Sequence, residues 1–180
     1  MNDRKRIRVL LVDDDALVRS GLTMILRGAE GIEVVGEADD GDAVLASVDL
    51  HHPDVVLMDI RMPNLDGIAA TTLLTQQPSP PKVLVLTTFD ADDLVLRALR
   101  AGADGFLLKH TPPAEIVSAI EMVDAGDSML SPTITRQLIS LVIGEGGAAE
   151  RRDRACESLA ILSEREREVA LAVGRGQSNA

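Results

Sequence analysis

Five short apolar runs alternate with five stretches of helical spacing over the first 130 residues, and two of the runs end abruptly in aspartate. The runs are Ile7–Val12, Ile32–Ala38, Val55–Met58, 83–87 and Gly105–Leu108. They are mostly continuous and rich in Val, Leu and Ile, a pattern suited to parallel strands covered on both faces. Between them, Leu17, Gly21, Met24 and Ile25 fall on one helical stripe, as do Leu94, Ala98 and Leu99, and Ile116, Val117, Ile120 and Val123. Thr111-Pro112-Pro113 offers the fifth helix a capping hydroxyl and a first-turn proline. Gly36-Glu37, Gly102 and Gly126 mark ends and turns. Repeated strand–helix alternation predicts a doubly wound α/β domain. Active sites in such domains lie beyond the carboxyl ends of the strands.

The acids stand at those ends. Asp13-Asp14-Asp15 follows the first run, and Asp59 follows the third, ahead of the loop Ile60-Arg61-Met62-Pro63. Thr87 closes the fourth run and Lys109 follows the fifth. Carboxylates crowded together repel one another and call for a cation. An all-oxygen ligand set favours Mg²⁺ or Mn²⁺ over zinc. Phosphorylating one of the acids adds about 1.5–2 negative charges, which such a metal offsets while aligning the attacking and leaving oxygens. Asp59 is then the expected nucleophile, forming an acyl phosphate. Asp13, Asp14 and Asp59, with the backbone carbonyl of Arg61, are the expected metal ligands. Lys109 neutralises a phosphoryl oxygen as a point charge, and the Thr87 hydroxyl donates to another, with Thr88 as its competitor.

Any one of these acids alone reads as a helix cap or a turn residue. The whole set, on the ends of four strands, reads as a site. Asp15 is expected to cap the first helix. Asp39-Asp40 and Asp90, Asp92 and Asp93 are expected as caps and solvated faces. His51, His52 and His110 share no metal-ligand spacing and are expected on surfaces or turns.

The rest of the composition bounds the molecule. With two Phe and no Trp or Tyr, the core of this 180-residue chain is aliphatic. No apolar stretch approaches a membrane span, and the N-terminus lacks the apolar segment of a signal peptide, so a cytoplasmic protein is expected. The single Cys156 excludes an internal disulfide. The net charge of −11 is uneven: residues 1–150 carry 12 basic and 24 acidic side chains, and residues 151–180 carry six and five. So acidic a body does not bind nucleic acid by itself. Past residue 130, Ser131-Pro132 precedes a helical stretch to Ile143. The run 144–149 (GEGGAA) has the composition of a flexible linker, and the charged run 150–157 extends it. Ser163-Glu164-Arg165-Glu166 is a capping box, opening a helix expected from 164 to about 173.

Taken together, these segments closely resemble the receiver domain of bacterial response regulators of the NarL/FixJ type. The resemblance is carried by Arg8-Val9-Leu10-Leu11-Val12-Asp13-Asp14-Asp15, by Asp54-Val55-Val56-Leu57-Met58-Asp59-Ile60-Arg61-Met62-Pro63 and by Asp66-Gly67. It continues in Val83-Leu84-Val85-Leu86-Thr87-Thr88-Phe89 and Ala101-Gly102-Ala103-Asp104-Gly105-Phe106-Leu107-Leu108-Lys109. It implies a flavodoxin-like (βα)5 domain over 1–130 with a five-stranded parallel sheet of order 2-1-3-4-5. It also implies Mg²⁺-dependent phosphotransfer from a sensor histidine kinase to Asp59, a switch pair Thr87 and Phe106, and a homodimer on phosphorylation. Many receivers carry proline after the lysine; here it is His110, which leaves the geometry of that peptide open.

Residues 159–180, with Leu162-Ser163-Glu164-Arg165-Glu166-Arg167-Glu168-Val169, resemble the beginning of a LuxR-type helix-turn-helix domain, joined through a linker over 131–158. The resemblance implies a transcription regulator that contacts DNA only through a complete C-terminal domain, and a phosphate-accepting switch rather than an enzyme. A rival is a phosphatase of the haloacid-dehalogenase type, whose two aspartates spaced by one residue fit Asp13 and Asp15, although its substrate cap and late acids are missing from the sequence. A nucleotide- or flavin-binding module fits less well, because no glycine-rich phosphate loop follows the first run.

Overall fold

The computed structural model describes residues 6–88, 92–130 and 134–135. Strands β1 (Ile7–Val12), β2 (Ile32–Ala38), β3 (Val55–Met58), β4 (Lys82–Thr87), β5 (Gly105–Leu108) and β6 (Met129–Leu130) form one sheet in the order β2-β1-β3-β4-β5-β6. Every pairing is parallel. The helices are α1 (Ala16–Arg27), α2 (Val44–His51), α3 (Gly67–Thr75), α4 (Asp92–Arg100) and α5 (Pro113–Asp124), with a single 3₁₀ turn at Gly41–Ala43 before α2. This is the expected doubly wound, flavodoxin-like fold with one strand more than the five expected. The sixth is a two-residue edge strand, Met129 and Leu130 against Gly105 and Phe106, too short to show as an apolar run.

Side chains alternate along each strand and so divide the interior in two. Val9, Leu11, Leu57 and Leu107 point toward α1 and α5, where Leu26, Ile116 and Ile120 meet them. Leu10, Val56, Val85 and Phe106 face the other way, toward Val44, Leu74, Val95 and Ala98 of α2, α3 and α4. Both halves are almost wholly aliphatic, and Phe106 is the largest side chain fully enclosed. Ile134 is also fully buried, in the cluster beneath α2–α4. The remainder of the linker and the expected helix-turn-helix fragment lie outside the described residues.

Three local expectations are corrected. On α1, Leu17 is 82% exposed and Met24 77% exposed, while Leu22 and Leu26 are buried with Val18 and Ile25 packed alongside. Of the expected stripe Leu17, Gly21, Met24 and Ile25, only Ile25 packs inward; the helix turns its denser aliphatic side, through Val18, Leu22, Ile25 and Leu26, to the core. Thr111 does not cap α5: Pro112 occupies the cap position with no side-chain bond, and the Thr111 N–H closes a turn onto the Leu108 carbonyl. Gly36 lies inside β2 rather than at a turn. There the pairing with β1 slips by one residue between Val9 and Leu10, and the His51 ring packs against the space a side chain would fill. Gly102 and Gly126, at φ 96° and 95°, do follow α4 and α5.

Candidate functional site

β1 and β3 lie side by side in the interior of the sheet, with Val12 opposite Met58, so the residues that follow each strand emerge together. The Asp59 N–H continues the ladder onto the Val12 carbonyl at 2.8 Å. Asp13 donates its N–H to Ala38 at the end of β2 (3.2 Å). Both acids are therefore held by main chain at the rim of the sheet, and both are nearly enclosed. Asp14 beside them is exposed. Carboxylate oxygens of Asp13, Asp14 and Asp59 all lie within 4.8 Å of one another.

Lys109 arrives from β5. Its N–H is fixed to the Thr87 carbonyl at 2.8 Å. Its Nζ reaches Asp13 Oδ2 at 2.5 Å and Asp59 Oδ2 at 3.0 Å. Burial favours the neutral amine, but the two hydrogen-bonded carboxylates outweigh it and hold Lys109 above the ordinary lysine range. Burial pushes the Asp59 carboxyl up, and the Asp13 charge adds to the rise. Lys109 and the Ile60 N–H pull against it without cancelling it. The other Asp59 oxygen accepts the Ile60 N–H at 2.8 Å.

The remaining expected residues fall as follows. Thr87 ends β4 wholly buried. It stands opposite Leu108 on the sheet face that also carries Val85 and Phe106. Thr88 is exposed in the bend beyond the strand. Arg61 follows Asp59 by two residues in an exposed stretch of the β3–α3 loop. Asp15 turns away from the cluster to cap α1, accepting the Leu17 N–H at 2.8 Å. The Lys109–His110 peptide is trans, since no cis bond occurs among the described residues. His52 adopts a left-handed conformation after α2, and Arg8 donates to the His51 and His52 carbonyls there. His110 is exposed in a turn.

Several residues support the site in ways the sequence did not indicate. Arg19 donates to the Asp13 carbonyl at 2.6 Å and to Glu37 at 3.1 Å, tying the acid loop to β2. Gly67 opens α3 directly behind the acid: a Cβ there would stand 1.9 Å from the Asp59 carbonyl oxygen. Asp40 is not solvated, with 5% of its surface exposed. It caps the short turn through the Asp42 N–H, as expected, and also accepts the N–H groups of Asn64 and Leu65 at 2.9 Å each. Its burial pushes the carboxyl upward, yet the surrounding backbone N–H groups more than offset this and hold it below the ordinary aspartate value.

Residues 9–121 match the family model described as the response regulator receiver domain. The chain belongs to this family. The chain is similar to Oxygen regulatory protein NreC from Staphylococcus carnosus, at 33% identity over 174 residues, 96% of this chain and 79% of that protein. Transcriptional regulatory protein LiaR of Bacillus subtilis is 38% identical over 174 residues, again 96% of this chain and 79% of the relative. Among solved structures, a two-component response regulator of the LuxR family from Aurantimonas superposes with a TM-score of 0.73 at 33% identity, over 77% of this chain and 99% of the other. The chain is thus a NarL-type two-component response regulator, a class that controls transcription. The phosphatase alternative finds no support among these relatives, and the aspartate pair it requires is split, because Asp15 is committed to the helix cap. Among the described residues, no helix is long and apolar enough to cross a membrane.

Proposed function

We propose that this receiver acts in the cytoplasm by accepting a phosphoryl group on Asp59 from the phosphohistidine of a sensor histidine kinase. The observation that supports this most directly is the pairing of a nearly enclosed Asp59 carboxylate with Lys109 Nζ at 3.0 Å, beside two further acids at the strand ends. An Asp59 oxygen attacks phosphorus, the phosphorus–nitrogen bond breaks, and the electron pair leaves with the imidazole. Lys109, already charged and aimed at this carboxylate, meets the added negative charge. Thr87 offers its hydroxyl from the neighbouring strand end.

The donor set fits a hard dication: three carboxylates, all oxygen, close together and only partly balanced by one lysine. Asp13, Asp14, Asp59 and the Arg61 carbonyl would hold Mg²⁺, or Mn²⁺ in its place. When bound, such an ion offsets the charge gathered around the phosphoryl group. Thr87 and Phe106 lie on one sheet face, so a hydroxyl drawn toward the phosphoryl group leaves room for the ring to repack, the kind of two-state packing change a switch requires. We place the receiver at 1–130, a linker at 131–158 and the start of a LuxR-type DNA-binding domain at 159–180. The output is homodimerisation and altered DNA binding, exerted through the complete C-terminal domain. The protein serves as a switch rather than as an enzyme.

Incubation with acetyl phosphate and Mg²⁺ should add one phosphoryl mass to the intact protein, and Asp59→Asn should abolish the adduct. An adduct that persists in this variant would remove Asp59 from its role.

A further inference from the structure

Asp40 lies outside the acid cluster, yet it is one of the few enclosed carboxylates among the described residues. Its acceptor capacity is spent on main chain from two loops. Asp40 Oδ1 takes the Asp42 N–H at 3.2 Å in its own loop and the Leu65 N–H at 2.9 Å across the gap. Asp40 Oδ2 takes the Asn64 N–H at 2.9 Å. The two loops also touch directly. A Cβ on Gly41 would stand 2.2 Å from the Leu65 carbonyl oxygen, so only glycine permits this approach.

The gripped segment runs from Asp59 to Asp66. Its near end is fastened by the Gly67 N–H onto the Ile60 carbonyl at 2.9 Å, and its far end by Asp66 capping α3 through the Ala69 N–H at 2.8 Å. Asp40 supplies the hold between them, on the stretch that follows Arg61 and Met62. Without it, Asn64 and Leu65 lose these acceptors and the loop loses its tie to the β2–α2 connection.

We propose that Asp40 is a positioning residue for phosphoryl acceptance: by gathering the Asn64 and Leu65 N–H groups, it fixes the loop that carries the Arg61 carbonyl next to Asp59. This rests on the phosphoacceptor reading given above. A carboxylate suits the task because it only accepts, and can take several N–H groups at once. An asparagine at 40 keeps one acceptor oxygen and sets an NH₂ against a donor, so it preserves part of the grip.

The test uses the full 180-residue chain as wild type, Asp40→Asn, Asp40→Ala and, as control, Asp104→Ala. Asp104 makes a comparable clamp at the opposite end of the sheet, to Lys82 Nζ at 2.8 Å and the Val83 N–H at 2.9 Å. Amide exchange at Asn64 and Leu65 is measured without metal, Mg²⁺ binding by titration calorimetry with MgCl₂, and phosphoryl uptake and half-life by intact mass. In Asp40→Ala both amides should exchange faster and Mg²⁺ affinity should fall roughly 10-fold, the usual scale for losing a residue that orients metal ligands. Asp40→Asn should fall between this variant and wild type. Asp104→Ala should lose stability yet keep its Mg²⁺ affinity within about twofold. The proposal is overturned if both Asp40 variants bind Mg²⁺ and take up phosphate like wild type, or if Asp104→Ala weakens Mg²⁺ equally. Should Asp40→Ala fail to fold, Asp40→Asn decides alone. A wild-type protein that takes no phosphate on Asp59 refutes the phosphoacceptor reading itself, whereas a normal wild type with unaffected Asp40→Asn refutes only the role of Asp40.

Discussion

Gly67 shows how tightly single residues constrain the site. The first turn of α3 packs on the main chain of the phosphoacceptor candidate, and a Cβ at 67 would sit 1.9 Å from the Asp59 carbonyl oxygen and 3.0 Å from Met58 Cγ. The first of these obstacles is backbone, which cannot swing aside as a side chain can. Gly67→Ala should therefore cost about 3 kcal/mol, at the upper end of ordinary overpacking. Urea titration checks this, and a midpoint equal to wild type would show that α3 can back away freely. At this scale the sequence was informative wherever a role follows from a place on a strand. Asp13, Asp14, Asp59, Thr87 and Lys109 stand at strand ends, and a parallel sheet brings strand ends together whatever the intervening loops do. It was uninformative where a role depends on contacts between distant loops. Asp40 reads locally as a cap, and it is one, but its bonds to residues 24 and 25 positions away leave no local mark. The close approach at Gly67 is hidden for the same reason, since a glycine at a helix start looks like any other.

Among the elements, the strands were the most legible. Four of the five expected keep their bounds and β4 begins one residue early, at Lys82. A buried parallel strand is a continuous aliphatic run, and such runs have clear edges. Helix α1 was harder because it carries apolar residues on more than one side, so two stripes satisfy helical spacing. One passes through Leu17, Gly21, Met24 and Ile25, and the other through Val18, Leu22, Ile25 and Leu26, with Ile25 at the border of both. The second buries more branched aliphatic surface against Val9, Leu11 and Leu57, and hydrophobic burial decides the rotation of the helix. Paired substitutions test this. Leu26→Ala, at a fully buried position, should cost about 2–5 kcal/mol. Leu17→Ala, on the opposite side, should stay within about 0.5 kcal/mol of wild type. Thermal or urea unfolding of the two variants reads the answer, and equal losses would place both leucines in the core.

For the molecule as a whole, the dominant quantity is charge. A net −11 over 180 residues means that compaction crowds like charges, and among the described residues three carboxylates converge at Asp13, Asp14 and Asp59. Two kinds of cation relief then need to be told apart. Monovalent salt screens the whole surface over roughly 10 Å at 0.1 M and acts on every exposed acid alike. A divalent ion held by the cluster acts at one place and binds the folded state only, because the unfolded chain does not bring residues 13 and 59 together. Mass action then adds about 1.4 kcal/mol of stability at a free Mg²⁺ concentration ten times the dissociation constant, equivalent to a rise of roughly 3–5 °C in Tm for a protein of this size. Melting in MgCl₂ should thus exceed melting in NaCl of matched ionic strength by that amount. Asp13→Asn should erase the difference while keeping the response to NaCl, because it removes one ligand from the cluster and only one charge from the surface. If MgCl₂ and NaCl stabilise wild type equally, the acids are a screened patch and not a metal site. If Asp13→Asn keeps the full Mg²⁺ increment, the ion is held elsewhere on this acidic surface.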